Sequence, residues 1–175
     1  MELKAIIEKR RSVRKFMDKE VPTEVLRRIV DAAIAAPSSR NSHSSSFIVV
    51  TDRAMLERIA TMRDYGSAFV KDAPAMILVV GDTTVTDLWE VNAAISATVL
   101  QLAVVDEGLA SCWVHVDGRP QLQTEPQGAQ AIDLIREVVE IPEGCEVLCG
   151  IALGYSEFQP KPLPEFDRDS KVVFA

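Results

Sequence analysis

The chain has 175 residues, and its 26 acidic side chains outnumber 19 Lys and Arg, which gives a formal net charge of −7. That length predicts one domain over residues 1–175, and the acidic balance argues against nucleic-acid binding, which needs a basic surface. We expect no membrane partner, because no apolar run reaches the roughly 18 to 20 residues of a membrane helix.

The first half of the chain predicts helices that flank one short strand. Apolar residues at helical spacing predict a helix over residues 2–10. A second helix starts near Pro22 and stops before Pro37, because proline suits a first helical position and cannot continue a helix. The apolar run 47–51 predicts a strand, and Asp52 is a suitable cap for the helix that follows.

The second half alternates strands and helices. They are predicted over 75–82 (strand), 84–107 (helix), 110–116 (strand), 130–141 (helix) and 145–155 (strand). The helix over 84–107 is apolar on nearly every side, which indicates burial on several sides. In a chain of this size, a partner subunit could cover one of them. The tail from Ser156 is rich in proline yet ends in Val-Val-Phe, which favours an arm that docks on another surface. Alternation alone favours a parallel, doubly wound sheet.

Three cysteines bear on the compartment and on metal binding. An odd count without a disulfide-like spacing predicts a reducing, cytoplasmic location. Cys145 and Cys149 lie four residues apart in a predicted strand, which places both on one face. Because His43 and His115 are the only histidines, we expect buried, unreactive thiols and no metal site.

Three stretches are candidates for chemistry, and each has a plainer alternative. RRSVRKF concentrates four positive charges in residues 10–16, which suits a phosphate group, although such clusters are usually solvated helix ends. PSSRNSHSSSF, residues 37–47, offers short polar side chains to a ligand or forms a surface turn. GLASCWVHV, residues 108–116, carries a Trp and a His that either approach a ligand or pack in the core. Neither a G-x-G-x-x-G nucleotide motif nor a P-loop is present.

The order of these stretches resembles the nitroreductase family of FMN-dependent oxidoreductases. RRSVRKF, AAPSSRNS, DAPAMILVVGD, GLASCWV and LGYSEFQPKP follow one another over nearly the whole chain. The resemblance implies an α+β fold with a mainly antiparallel central sheet flanked by helices, in place of the doubly wound sheet. It also implies an intertwined homodimer with FMN at the subunit interface, an arm that crosses to the partner, and NADH or NADPH as co-substrate.

The resemblance assigns roles to residues that match the family pattern. The first segment would bind the FMN phosphate and pyrimidine edge, and it comprises Arg10, Arg11, Ser12 and Arg14. A loop reaching the flavin of the partner subunit would comprise Pro37, Ser38, Ser39 and Asn41. The strand Trp113, Val114, His115 and Val116 would run along the flavin ring with an N–H near N5. Lys161 would help to hold the phosphate, and Arg168 is a remote substitute for a second late cation.

The expected reaction passes a hydride from NADH or NADPH through flavin N5 to a small acceptor such as a nitroaromatic or quinone. The His115 side chain is a candidate proton donor, and the alternative is that only its backbone faces the ring. Ser42, His43, Ser44 and Ser45 stand where many members carry x-Gln-Pro-Trp. That departure keeps open a flavin-binding protein without reductase turnover, and an anion-binding scaffold without flavin is a third possibility.

Overall fold

A computed structural model describes residues 1–159, 161–167 and 169–175. The predicted order of helices and strands is confirmed within these residues. The elements are α1 (Leu3–Lys9), α2 (Thr23–Ile34), β1 (Ser45–Val50), α3 (Arg53–Ile59), β2 (Ala75–Asp82), α4 (Trp89–Asp106), β3 (Ala110–His115), α5 (Ala131–Val138) and β4 (Cys145–Gly154). The remote phosphate-binding candidate Arg168 lies outside the described residues.

The four strands form a sheet in the order β1-β2-β4-β3, and every neighbouring pair is antiparallel. The expectation of a parallel sheet from alternation alone is therefore wrong, and the antiparallel sheet implied by the family resemblance is confirmed. The physical reason lies in the position of β4. The crossover through α4 does make β2 and β3 parallel to each other, but β4 inserts between them and runs in the opposite direction.

A bulge in β4 corrects the prediction for the two cysteines. Val79 pairs with Cys149, but the next residue, Val80, pairs with Val147, so Leu148 is an extra residue in β4. An extra residue reverses the alternation of side chains beyond it. Cys145 and Cys149 consequently face opposite sides of the sheet. Both thiols are buried, as expected, and burial raises the pKa of Cys149 well above its ordinary value.

Helices cover both faces of the sheet. Ile29 of α2 and Leu100 of α4 pack on one face in a common core. Leu56 of α3 and Ile135 of α5 pack on the other face. All four side chains are fully buried. The sheet is therefore packed between two apolar layers, which hold the ends of its strands in place.

The long helix α4 begins later than the sequence predicts. Residues 84–88 form a turn instead, because the Asp82 carboxylate accepts hydrogen bonds from the backbone N–H and the hydroxyl of Thr84. Several apolar side chains of α4 stay open to solvent in one chain, with Val91 about half exposed and Ile95 and Leu102 half-buried. No helix in the described part of the chain combines the length and apolarity needed to cross a membrane.

Candidate functional site

The basic segment runs along the beginning of β3. The helix α1 ends at Arg10, and the chain then forms a parallel bridge between Ser12 and Ser111. The N–H of Val13 donates to the carbonyl of Ser111 at 2.9 Å. The arginines flanking Ser12 are thus attached to a rigid strand, which reduces the entropy lost when they bind a ligand.

Within the part of the chain that the structure describes, the arginines of this segment have no carboxylate partner. Among the described residues, neither Arg10 nor Arg14 forms an ion pair, although acidic side chains outnumber basic ones in the chain. The Arg14 guanidinium lies 5.7 Å from the centroid of the Phe69 ring, an aromatic contact that leaves its N–H groups available. Within the described residues, the guanidinium groups of Arg10 and Arg14 therefore remain available to an external anion.

Arg11 is oriented differently from its neighbours. Its Nη1 donates to the carbonyls of Glu8 and Arg10 at 2.8 and 2.7 Å, and its Nη2 donates to the carbonyl of Lys161 at 3.0 Å. Lys161 is itself exposed. The guanidinium of Arg11 thus fastens the C-terminal tail beside α1, and it brings Lys161 next to the basic segment.

The edge strand β3 presents two aromatic rings on one face. The rings of Trp113 and His115 stack with centroids 6.1 Å apart and an interplanar angle of 14°, and the indole N–H points at Nδ1 of His115 across 3.4 Å. Val114 and Val116 alternate with them and are buried in the core of the opposite face. The predicted strand is confirmed as far as His115, and Val116 lies just beyond its end. The His115 side chain packs on the indole ring.

Burial lowers the pKa of His115, so its imidazole is mainly neutral at pH 7. Nearby charges act in both directions. The cations Arg119 and Arg63 lower the pKa of His115, whereas the anions Asp117 and Glu90 raise it. A neutral imidazole accepts through one ring nitrogen and donates through the other.

The backbone of β3 has an open edge. Hydrogen bonds alternate in direction along a strand, and the N–H of Val116 donates inward to the carbonyl of Leu148. The polar backbone groups of Trp113 and His115 therefore point outward. The carbonyl of His115 accepts from Nη1 of Arg63 at 3.0 Å, which is consistent with that direction. An outward N–H at His115 is available to a flat ligand lying along this edge.

The serine-rich loop lies elsewhere, between α2 and β1, and contains Pro37, Ser38, Ser39 and Asn41. Its shape depends on Asn92 of α4, which the sequence analysis did not select. The Asn92 side chain accepts from the N–H of Ser39 at 2.8 Å, and its Nδ2 lies 2.9 to 3.1 Å from the hydroxyls of Ser39, Ser42 and Ser44. A lone asparagine in an otherwise apolar stretch of helix was the available signal.

The loop and the basic segment occupy opposite corners of the sheet. At one corner, Ser45 of β1, where the loop enters the strand, pairs with Gly81 of β2. At the other corner, Ser111 of β3, beside the basic segment, pairs with Leu153 of β4. Leu153 in turn pairs with Ala75 of β2. Gly81 and Ala75 are about 20 Å apart along β2, and three strand spacings add about 14 Å across the sheet. The two corners of the sheet, at Ser45 and at Ser111, are thus about 24 Å apart in one chain.

Comparison with known proteins agrees with this architecture. Residues 7–63 match the model of the nitroreductase family. A Methanothermobacter thermautotrophicus protein, provisionally named NADH dehydrogenase/NAD(P)H nitroreductase, is 36% identical over 172 residues, which cover 97% of this chain and 85% of that protein. A protein of Archaeoglobus fulgidus with the same provisional name is 30% identical and matches 83% of this chain and 80% of its own length.

A solved structure gives the same result in three dimensions. The FMN-dependent nitroreductase from Clostridium difficile R20291 superposes with a TM-score of 0.87 at 36% identity, over 97% of this chain and 96% of that one. The match extends across all the elements that carry the basic segment, the serine-rich loop and β3. By sequence and by fold, this chain belongs to the nitroreductase family.

Proposed function

We propose that the protein is an FMN-dependent oxidoreductase that takes a hydride from NADH or NADPH and reduces a small acceptor such as a nitroaromatic or a quinone. The observation that carries this proposal is the pair Arg10 and Arg14, which have no carboxylate partner among the described residues and lie at one end of an open strand edge. The names of the relatives, which include an FMN reductase [NAD(P)H] of Bacillus subtilis at 26% identity, support the same chemistry.

The basic segment is proposed to bind the phosphate of FMN. The guanidinium groups of Arg10 and Arg14 and the hydroxyl of Ser12 supply charge-assisted and neutral donors to a dianion. Lys161 adds charge from the tail, where Arg11 holds its backbone. We assign Arg11 mainly to this anchoring, because two of its nitrogens already donate to backbone carbonyls.

The edge of β3 is proposed to carry the flavin ring. Ser111 and His115 are four residues apart, about 13 Å along the strand, so a ligand with its phosphate at Ser12 lies alongside the outward N–H of His115. When bound, FMN supplies a ring whose N5 accepts a hydride from reduced nicotinamide and passes electrons to an acceptor. The outward N–H of His115 is suited to orient that nitrogen, and a donor near the ring stabilises negative charge there.

Packing favours the backbone of His115 over its side chain as the group that faces the flavin. The imidazole stacks on Trp113 and accepts a hydrogen bond from its indole N–H, and Trp113 packs in the core on the face that α4 covers. A proton donor must reach the reacting group within hydrogen-bond distance. We therefore assign contact with the flavin to the backbone of His115 first. Donation of a proton by the imidazole to a reduced acceptor is only the second assignment.

A homodimer is proposed because one chain cannot bring both groups of site residues to one flavin. The corners of the sheet at which the serine-rich loop and the basic segment lie are about 24 Å apart within the chain, so the loop would reach the flavin of the partner subunit. Two surfaces are suited to the contact. One is the open stripe of α4 that includes Val91, and the other is the apolar end of the tail, where Val173 and Phe174 are 90% and 96% exposed.

The visible spectrum of the purified protein with FMN, followed by anaerobic addition of NADH and then NADPH, tests this function. We expect a bound flavin whose absorbance is bleached by at least one nicotinamide and restored by an acceptor. Bound flavin that neither nicotinamide bleaches would indicate a flavin-binding protein without reductase activity. Protein that stays colourless after mixing with FMN and desalting would indicate an anion-binding scaffold, and would overturn the proposal.

A further inference from the structure

Asn92 is the most completely engaged polar side chain in the described interior. It is 1% exposed and lies in the first turn of α4. Its Oδ1 accepts from the N–H of Ser39, and its amide N–H groups face the hydroxyls of Ser39, Ser42 and Ser44. A primary amide has two N–H donors, so the three hydroxyls share them and neither amide N–H is left without a partner.

The segment that Asn92 binds has an unusual backbone. Arg40, Asn41 and His43 have φ values of 52°, 55° and 47°, in the left-handed region that non-glycine residues seldom adopt. Such conformations persist only where the surroundings hold them. The partners of Asn92 lie at positions 39, 42 and 44, so they bracket all three strained residues.

We propose that Asn92 is a positioning residue that holds the serine-rich loop in its ligand-binding shape. It acts through the loop and does not touch the flavin itself. The inference rests on the proposed function, because it takes the loop to contact the flavin ring. The exposed Asn41 is presented outward only while its backbone stays left-handed. Without Asn92 the three hydroxyls lose a common partner, and the loop is free to relax.

The first test measures the loop without any cofactor. Arg40 is exposed, so trypsin cleavage after Arg40 reports local opening of the loop, and mass spectrometry identifies the fragment 1–40. We expect Asn92→Ala to accelerate this cleavage about ten- to a hundredfold. Ile135→Ala is the matched control, because Ile135 is fully buried in the core on the opposite face of the sheet. Ile135→Ala should raise cleavage at sites throughout the chain, with no preference for the bond after Arg40.

The second test measures the bound flavin. Asn92→Ala should weaken the binding of FMN and of riboflavin by a similar factor, about five- to thirtyfold. The reason is that the loop is taken to contact the flavin ring, which both ligands share. Its visible circular dichroism should differ from that of the wild type. Ile135→Ala protein, assayed at a temperature where it is folded, should bind both flavins as the wild type does.

The outcomes separate this inference from the proposed function. Equal cleavage at Arg40 in Asn92→Ala and wild-type protein would overturn the positioning role, and so would equal flavin affinity when the wild type binds FMN. A wild type that binds no flavin would overturn the proposed function, and the part of this inference that concerns flavin with it. Cleavage at Arg40 would then still decide whether Asn92 holds the loop.

Discussion

Replacing Arg10 or Arg14 with alanine tests whether the basic segment binds a phosphate group. Neither guanidinium is compensated by a carboxylate among the described residues, so removing one deletes a charge-assisted bond without freeing a buried anion. Such bonds contribute about 1.5–3 kcal/mol. We therefore expect each variant to bind FMN about 10- to 150-fold more weakly than the wild type.

Riboflavin separates the phosphate from the ring. It lacks the phosphate, so both variants should bind it as the wild type does, within about twofold, in fluorescence-quenching titrations. FMN binding by the wild type should weaken as salt is added, and the variants should show a shallower dependence because one screened charge pair is missing. Arg27→Ala is the control, since Arg27 is an exposed arginine of α2 outside the proposed site.

Two results would refute the phosphate assignment. One is FMN affinity that stays at the wild-type level in both variants. The other is an equal loss of affinity for FMN and riboflavin, which would mean that the arginines act on the ring or on the fold. Thermal unfolding of the apo variants checks the fold, and we expect changes within about 0.5 kcal/mol, as for most surface substitutions.

Three further predictions concern stability. Because the pKa of His115 is lowered in the folded state, the unfolded state binds a proton first as the pH falls. The free energy of unfolding should therefore decrease as the pH drops below about 6.5. In urea titrations over the same pH range, His115→Gln should lose less of this free energy than the wild type. Asp52→Ala removes the side-chain acceptor for the N–H of Met55 and should cost about 1 kcal/mol, whereas Asp52→Asn should cost less. Gly81→Ala would place a methyl group 2.5 Å from Cε3 of Trp89 and should cost about 1–3 kcal/mol; an equal loss in a Trp89→Leu background would contradict the clash.

Local features of the sequence predicted the helices and strands, because each depends on neighbouring residues. Apolar periodicity identified α2 and β2, and Asp52 does cap α3 as expected. The prediction was wrong at residues 84–88, where the Asp82 carboxylate binds Thr84 and delays the helix. A hydrogen bond of that kind competes with a helical start, and periodicity carries no information about it.

The candidate site could be predicted only in pieces. The charge of RRSVRKF and the polarity of the serine-rich loop are visible in the sequence, and the resemblance to a family grouped them into one site. Neither the sequence pattern nor the resemblance showed that Arg11 donates hydrogen bonds from its guanidinium to backbone carbonyls. Neither showed that Asn92 binds the loop. Those contacts join residues up to 150 positions apart, so no local pattern specifies them.

The sequence by itself determined the kinds of element, their order, and the presence of positive charge in an acidic chain. Tertiary structure alone decided that β4 lies between β2 and β3, and that Leu148 bulges and sends Cys145 and Cys149 to opposite faces. It also decided that the two groups of predicted site residues lie at opposite corners of the sheet. The physical reason is that periodicity and capping are short-range properties of the chain. Strand order and register depend instead on which distant surfaces bury the most apolar area together.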